Sequence, residues 1–232
     1  MAFGEPALSE NAESQSWHSH AAWEPIWVFG NFRATGQCEK PSCRQAITVT
    51  GVYSVDDASG RTREEGFEET GYVDEYSVYY AVEYFSPPLT LVLLPEGTPQ
   101  EVCQAVERAA RLLYLDPGLA ATALRSSVEG YLTSQGVPRT SKSGGFLSLD
   151  KRLQDWRNAT SHEREADLLL AVKWIGNSGT HEAGELTARD VLDGVRFIDE
   201  AFHSLYIAPD VDANAQAVSA RRGRSTTQVT TS

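Results

Sequence analysis

The apolar positions change their period once along the chain. Up to Pro95 they alternate, or come in short β-branched and aromatic runs. PIWVFGNF, AITVTGVYSV, SVYYAVEYF and LTLVLL predict four strands. The connection DDASGRTREEGFEETG, rich in glycine and acids, reads as a long exposed loop. After Pro95 the repeat becomes helical. Thr98, Pro99 and Glu101 stand in the order of an N-cap, a first-turn proline and a capping-box acid, opening a helix to about Leu115. Asp116 and Pro117 repeat the device for a helix ending near Gly136. FLSLDKRLQDWRN and HEREADLLLAVKWIG supply two more, and Thr187, with Asp190 as its N3 acid, opens a last one reaching about Tyr206. Five helical segments joined by short turns make a bundle, each burying one apolar stripe. The fold class read from this pattern is α+β, a small N-terminal antiparallel β part followed by a helical bundle.

The two ends carry no such periodicity. Residues 1–15 are small and polar, and residues 209–232 lack large apolar side chains, so both are expected to be disordered. The division expected is 1–15 disordered, 16–95 β-rich, 96–208 helical and 209–232 a disordered tail. In a chain of 232 residues, 41% apolar and 9% aromatic, this leaves enough for buried cores. No run of eighteen apolar residues occurs, and MAFGEPALSENAES lacks the basic and apolar regions of a signal peptide, so a cytoplasmic protein with no membrane partner is expected.

Charge narrows the classes of partner. A formal net charge of -12 opposes general affinity for nucleic acid or an acidic membrane. The charge is uneven, however: residues 1–97 hold 5 Lys and Arg against 15 Asp and Glu, whereas residues 135–181 hold 7 against 5. A contact with phosphate is therefore expected in the later half.

Three cysteines, an odd and small set, do not make a disulfide framework. Cys103 falls in an amphipathic helical pattern and is expected to pack as a small apolar residue. Cys38 and Cys43, in GQCEKPSCRQ, sit between two strands, where a zinc knuckle forms. Zinc takes four ligands, and His18 and His20 in SWHSHAAW are the nearby partners. Two readings stay open: one structural zinc held by Cys38, Cys43, His18 and His20, or a knuckle that has lost its metal and kept two thiols. Trp23, Trp27, Tyr79, Tyr80 and Tyr84 are read as a core face rather than as a platform for stacking bases.

One stretch invites chemistry. In LLLAVKWIGNSGTH an apolar run meets a glycine, an asparagine, two small residues and His181. As a helix end, Gly176 would stand at C′, Asn177 would tolerate the same backbone region, and His181 would bridge the turn. As a site, the same residues would bind RNA or a nucleotide, or cleave it.

The succession SPPLTLVLLPEG, DPGLAATALRSSVEGYL, FLSLDKRLQDW, LLLAVKWIGNSGTH and an acid-capped last helix resembles domain of unknown function 4145, over roughly residues 80–207. The resemblance implies likeness to the HEPN superfamily of small helical domains, which includes metal-independent ribonucleases of defence and toxin systems as well as RNA binders and scaffolds. The family also occurs attached to restriction endonucleases. Beside it, the earlier cysteine pair looks like a degenerate zinc ribbon, so the architecture implied is a zinc-ribbon-like β part before a HEPN-like bundle. The HEPN nuclease signature is an arginine, then a polar residue such as asparagine, three residues, and histidine. Asn177 and His181 fit it, but Gly176 stands where the arginine belongs, and the nearest upstream base is Lys173, a point charge without arginine's fork. Cleavage by the RNA's own 2′-hydroxyl needs a base, an acid and a cation, and no metal. In a HEPN homodimer His181 would work beside the other subunit's Asn177 and Lys173, with Arg125 a second source of positive charge for binding. The function implied is a HEPN-like module of a bacterial defence or stress system, non-catalytic or weakly active, that dimerises and contacts RNA or a protein partner. The alternatives are a metal-independent endoribonuclease centred on His181 and an acidic structural or adaptor subunit.

Overall fold

The computed structural model describes residues 2–57, 76–181 and 186–220, with side chains placed for 3–57, 76–178 and 186–220. Most of the glycine-rich acidic connection, 58–75, and the last residues of the tail, 221–232, lie outside the described residues. The chain divides into two compact units, Met1–Leu89 and Thr90–Ser232.

The first unit is an antiparallel sheet. In chain order it comprises β1 (Ala2–Phe3), β2 (Ala7–Glu10), helix α1 (Ala12–Trp17), a 3-10 turn (Pro25–Trp27), β3 (Phe29–Gln37), β4 (Ala46–Asp57) and β5 (Tyr76–Ser86). The central order is β1-β3-β4-β5, and β2 also pairs with β3. Alternation selects one face of the sheet as the core: Phe32, Ala34, Val49 and Tyr53 are buried, with Val28, Val82 and Phe85 packed against them. The aromatic residues read as a core face are only partly that. Tyr80 lies edge-on to Phe32 with centroids 5.0 Å apart, yet Tyr80 and Tyr84 remain 43% and 41% exposed.

Residues 1–15, expected from their polarity to be disordered, instead supply two strands and most of α1. Backbone pairing orders them without apolar side chains: Ala7 to Glu10 run in register with Arg33 to Gly30. Ser14, fully buried, fixes α1 to this edge. Its hydroxyl bonds the Glu10 carboxylate (2.5 Å) and the Trp27 carbonyl (3.1 Å), and accepts from the Phe29 N–H (3.3 Å).

The second unit is helical: α2 (Gln100–Leu112), α3 (Pro117–Ser134), α4 (Leu149–Ala159), α5 (Glu163–His181), α6 (Ala188–Tyr206) and α7 (Ala208–Ala220). Its core contains Leu124, Leu169, Val172, Ile198 and Phe202, all fully buried, with Tyr131 edge-on to both Trp156 and Phe202. Truncating one such leucine or phenylalanine to alanine is a change of about 2–5 kcal/mol. The expected caps form at Asp116, which accepts from the Leu119 N–H, and at Thr187, where a complete capping box closes with Asp190. Gly136 ends α3 at φ +75°, as its C′ place requires.

Several expectations in this region are corrected. LTLVLL is not a strand: bracketed by Pro87, Pro88 and Pro95, it lays Leu91, Val92 and Leu94 on the helical core, and the boundary between the units falls at Leu89 rather than Pro95. The cap of α2 is Pro99 rather than Thr98, whose hydroxyl donates back to the Pro95 carbonyl. The start of the tail forms α7, an amphipathically weak helix with no buried residue. Cys103, expected inside, is exposed on α2.

Candidate functional site

The stretch that asked for chemistry is not a helix end. α5 continues through Gly176, Asn177 and Ser178 to His181, so Gly176 lies in a helix interior. The reason is tertiary. α3 crosses α5 here so closely that a Cβ at position 176 would overlap the Cβ of Arg125 and stand 2.9 Å from the Ala121 carbonyl oxygen. Glycine is selected by this approach of two backbones, and not by a left-handed turn.

The candidate residues are distributed around that crossing. Lys173 is 8% exposed, and its ammonium bonds Asp150 of α4 at 2.9 Å while lying 3.6 Å from the centre of the Trp174 ring. Its charge is thereby committed to a carboxylate within the fold. Arg125 packs its aliphatic stem over Gly176, and its guanidinium meets Glu129 one turn along α3 at 3.2 Å, leaving the buried Nε without a partner among the described residues. Asn177 is half-buried and Trp174 is 57% exposed. His181 closes α5, and its side chain lies outside the described residues. Within one chain, then, both bases named from the sequence are engaged with acids of the bundle.

The four residues named for zinc are not brought together. His18 bonds Glu10 at 2.8 Å and rests on Trp23, while His20 accepts from the Ala22 N–H and lies 5.4 Å from Trp27, all around the start of β3. Cys38 and Cys43 lie in the hairpin beyond Gln37, at the other end of β3, about 25 Å away at the rise of a strand. Two pairs so separated do not fit one tetrahedral ion. Among the described residues no group of three or more His, Cys, Asp or Glu side chains is placed to hold a metal. The Ser14 hydroxyl, with lesser help from His18, holds the partly buried Glu10 carboxyl below its ordinary pKa.

Residues that the sequence did not single out are the arginines around the second half of α3. Arg152 of α4 is 3% exposed and donates to Thr133 Oγ1 at 2.9 Å and the Val137 carbonyl at 3.1 Å, with its Nε buried and unpartnered. Arg139 donates its Nε to the same hydroxyl at 3.2 Å. The one signal in the sequence was the basic surplus of residues 135–181, which includes both.

No helix of the described residues is long and apolar enough to cross a membrane. No curated protein and no solved structure matches the chain. The sheet unit matches a family described as Domain of unknown function (DUF8608) over residues 4–85, a span that takes in β2 and α1 and ends in β5. The model of a second family, Domain of unknown function (DUF4145), matches residues 107–222, half of the chain and nearly all of its helices, and to that family the protein belongs.

Proposed function

We propose that the helical unit is a non-catalytic HEPN-like binding module of a bacterial defence or stress system, working as a homodimer that contacts a partner. The observation that carries this reading is the fate of Lys173. A phosphorane needs an uncommitted cation beside the general base, and Lys173 is instead buried on Asp150. The second candidate, Arg125, is held to Glu129. Trp174, 57% exposed two helical turns before His181, gives the same segment a large apolar contact surface.

The test is incubation of the protein with a mixed RNA pool in EDTA, wild type beside His181→Ala, with light scattering to read the oligomeric state. The expected result is a dimer that leaves the RNA intact in both samples. New 2′,3′-cyclic phosphate ends that vanish in the variant would overturn the reading in favour of a ribonuclease.

A further inference from the structure

A groove of about 250 Å³ runs between α2 and α3, lined by Glu101, Gln104 and Arg108 on one side and by Ser126, Glu129 and Arg139 on the other. The helices meet closely at its floor, where a Cβ on Gly130 would stand 3.0 Å from that of Glu101. From its charges we infer that this groove binds a small phosphate monoester.

The arginines of the chain differ in whether an acid stands beside them. Arg111, Arg157, Arg164 and Arg196 each have a carboxylate within 4 Å. Among the described residues Arg33, Arg44, Arg108, Arg139, Arg152 and Arg189 have none, although the chain carries a net charge of -12. Two of these, Arg139 and Arg152, converge. Arg139 Nε and Arg152 Nη2 stand 3.2 and 2.9 Å from the same Thr133 hydroxyl, which keeps these nitrogens within about 6 Å of each other. Two like charges held at this distance favour an anion between or in front of them. Arg152 is the buried member: it lies outside the groove's lining, 3.5 Å from the Glu129 carbonyl oxygen, and as a guanidinium it keeps its charge although burial and Arg139 lower its pKa. Arg139 spends only its Nε on Thr133, so its two terminal amino groups point their fork elsewhere, the geometry that takes a phosphate oxygen pair. Arg108 makes no hydrogen bond or ion pair among the described residues and faces the same groove from α2.

The acids choose among phosphates. Glu101 and Glu129 flank the groove, and a polyphosphate or a nucleic-acid backbone would place further negative charge against them. A ligand with one phosphate and several hydroxyl or amino donors suits both: guanidinium groups for the phosphate, carboxylates and the Gln104 amide for the donors. Sugar phosphates and nucleoside monophosphates have this chemistry. At physiological salt the acidic remainder of the surface is screened beyond about 8 Å, so the groove's own charges govern so small a ligand.

The probe is adenosine 5′-monophosphate, titrated by calorimetry into the full chain beside adenosine, inorganic phosphate and a short single-stranded RNA. Saturable binding of the monophosphate is expected, weaker binding of inorganic phosphate, and none of adenosine. Arg139→Gln is expected to weaken the monophosphate about tenfold or more. Arg108→Gln, which breaks no bond of the fold, serves the same purpose should Arg139→Gln fail to keep its melting temperature. Equal binding of adenosine and its monophosphate, wild-type affinity in a folded Arg108→Gln and Arg139→Gln double variant, or binding of the RNA without the monophosphate would each overturn the assignment. The inference is independent of the non-catalytic reading, because cleavage of RNA through His181 would leave these titrations unchanged.

Discussion

The Cα of Gly176 faces α3 at a distance that leaves no room for a methyl group between it, the Arg125 stem and the Ala121 carbonyl. A Gly176→Ala substitution thus sets two effects against each other. Helix propensity favours alanine in a helix interior by about 1 kcal/mol. Overpacking at a rigid helix crossing costs about 1–3 kcal/mol, and here the obstacles include backbone, which cannot rotate away. Overpacking is the larger, so Gly176→Ala is expected to lower unfolding stability in urea by about 1–2 kcal/mol; an unchanged or raised midpoint would refute the crossing. Gly176→Arg, which restores the letters of the HEPN signature, is expected to be more damaging still and to confer no cleavage. Against the HEPN signature that the stretch resembles, the glycine at 176 is a consequence of packing: the space an arginine would enter is filled by Arg125 from the neighbouring helix.

Between elements, the clearest tie is that of α5 to α6 through Glu165, 8% exposed and hydrogen-bonded to the Ser204 hydroxyl. Burial works against its carboxylate, yet Ser204, its own backbone N–H, His162 and Arg164 outweigh burial and hold the pKa below the ordinary glutamate value. A carboxyl lowered in the folded state contributes stability above its unfolded pKa, and that contribution is lost as pH falls through the folded value. Glu165→Gln should therefore be less stable than wild type at pH 7, by about 1 kcal/mol for a charge-assisted hydrogen bond, and the two should converge as pH drops below about 4. Denaturant titrations at both pH values check this, and a constant gap would refute it. Elements of this kind were legible in the sequence wherever their signal is local. Asp116 with Pro117, and Thr187 with Asp190, state their caps within four residues, and the structure has them. Several of the misses are places where distant partners decide. LTLVLL has strand-like residues but packs on helices, the polar start is ordered by pairing with β3, and α5 runs past Gly176 because α3 lies against it. The candidate site suffered in part the same way: Lys173 was recognisable as a cation, but its acid, Asp150, stands 23 residues away on another helix, whereas Arg125 and Glu129 form an i,i+4 pair that the spacing could have shown.

At the scale of the whole molecule the two units differ in how much interior they own. Among the described residues the helical unit buries twenty-three apolar residues, whereas the sheet unit buries five, Phe32, Ala34, Ile47, Val49 and Tyr53. Apolar burial is the main favourable term in folding, at about 25 cal/mol for each Å² removed from water, so the free energy of opening should differ between the units in the same sense. The sheet's hydrogen bonds do not remove the difference, since each contributes only about 1 kcal/mol net of its exchange with water. Amide hydrogen exchange under native conditions measures that quantity residue by residue. The amides of β3, β4 and β5 are expected to exchange through openings of lower free energy than those of α3, α5 and α6, and small additions of urea should accelerate them first. Equal protection in strands and helices, rising and falling together with urea, would mean instead that strands and helices open in one cooperative step, and that the sheet draws its stability from more than its own small core.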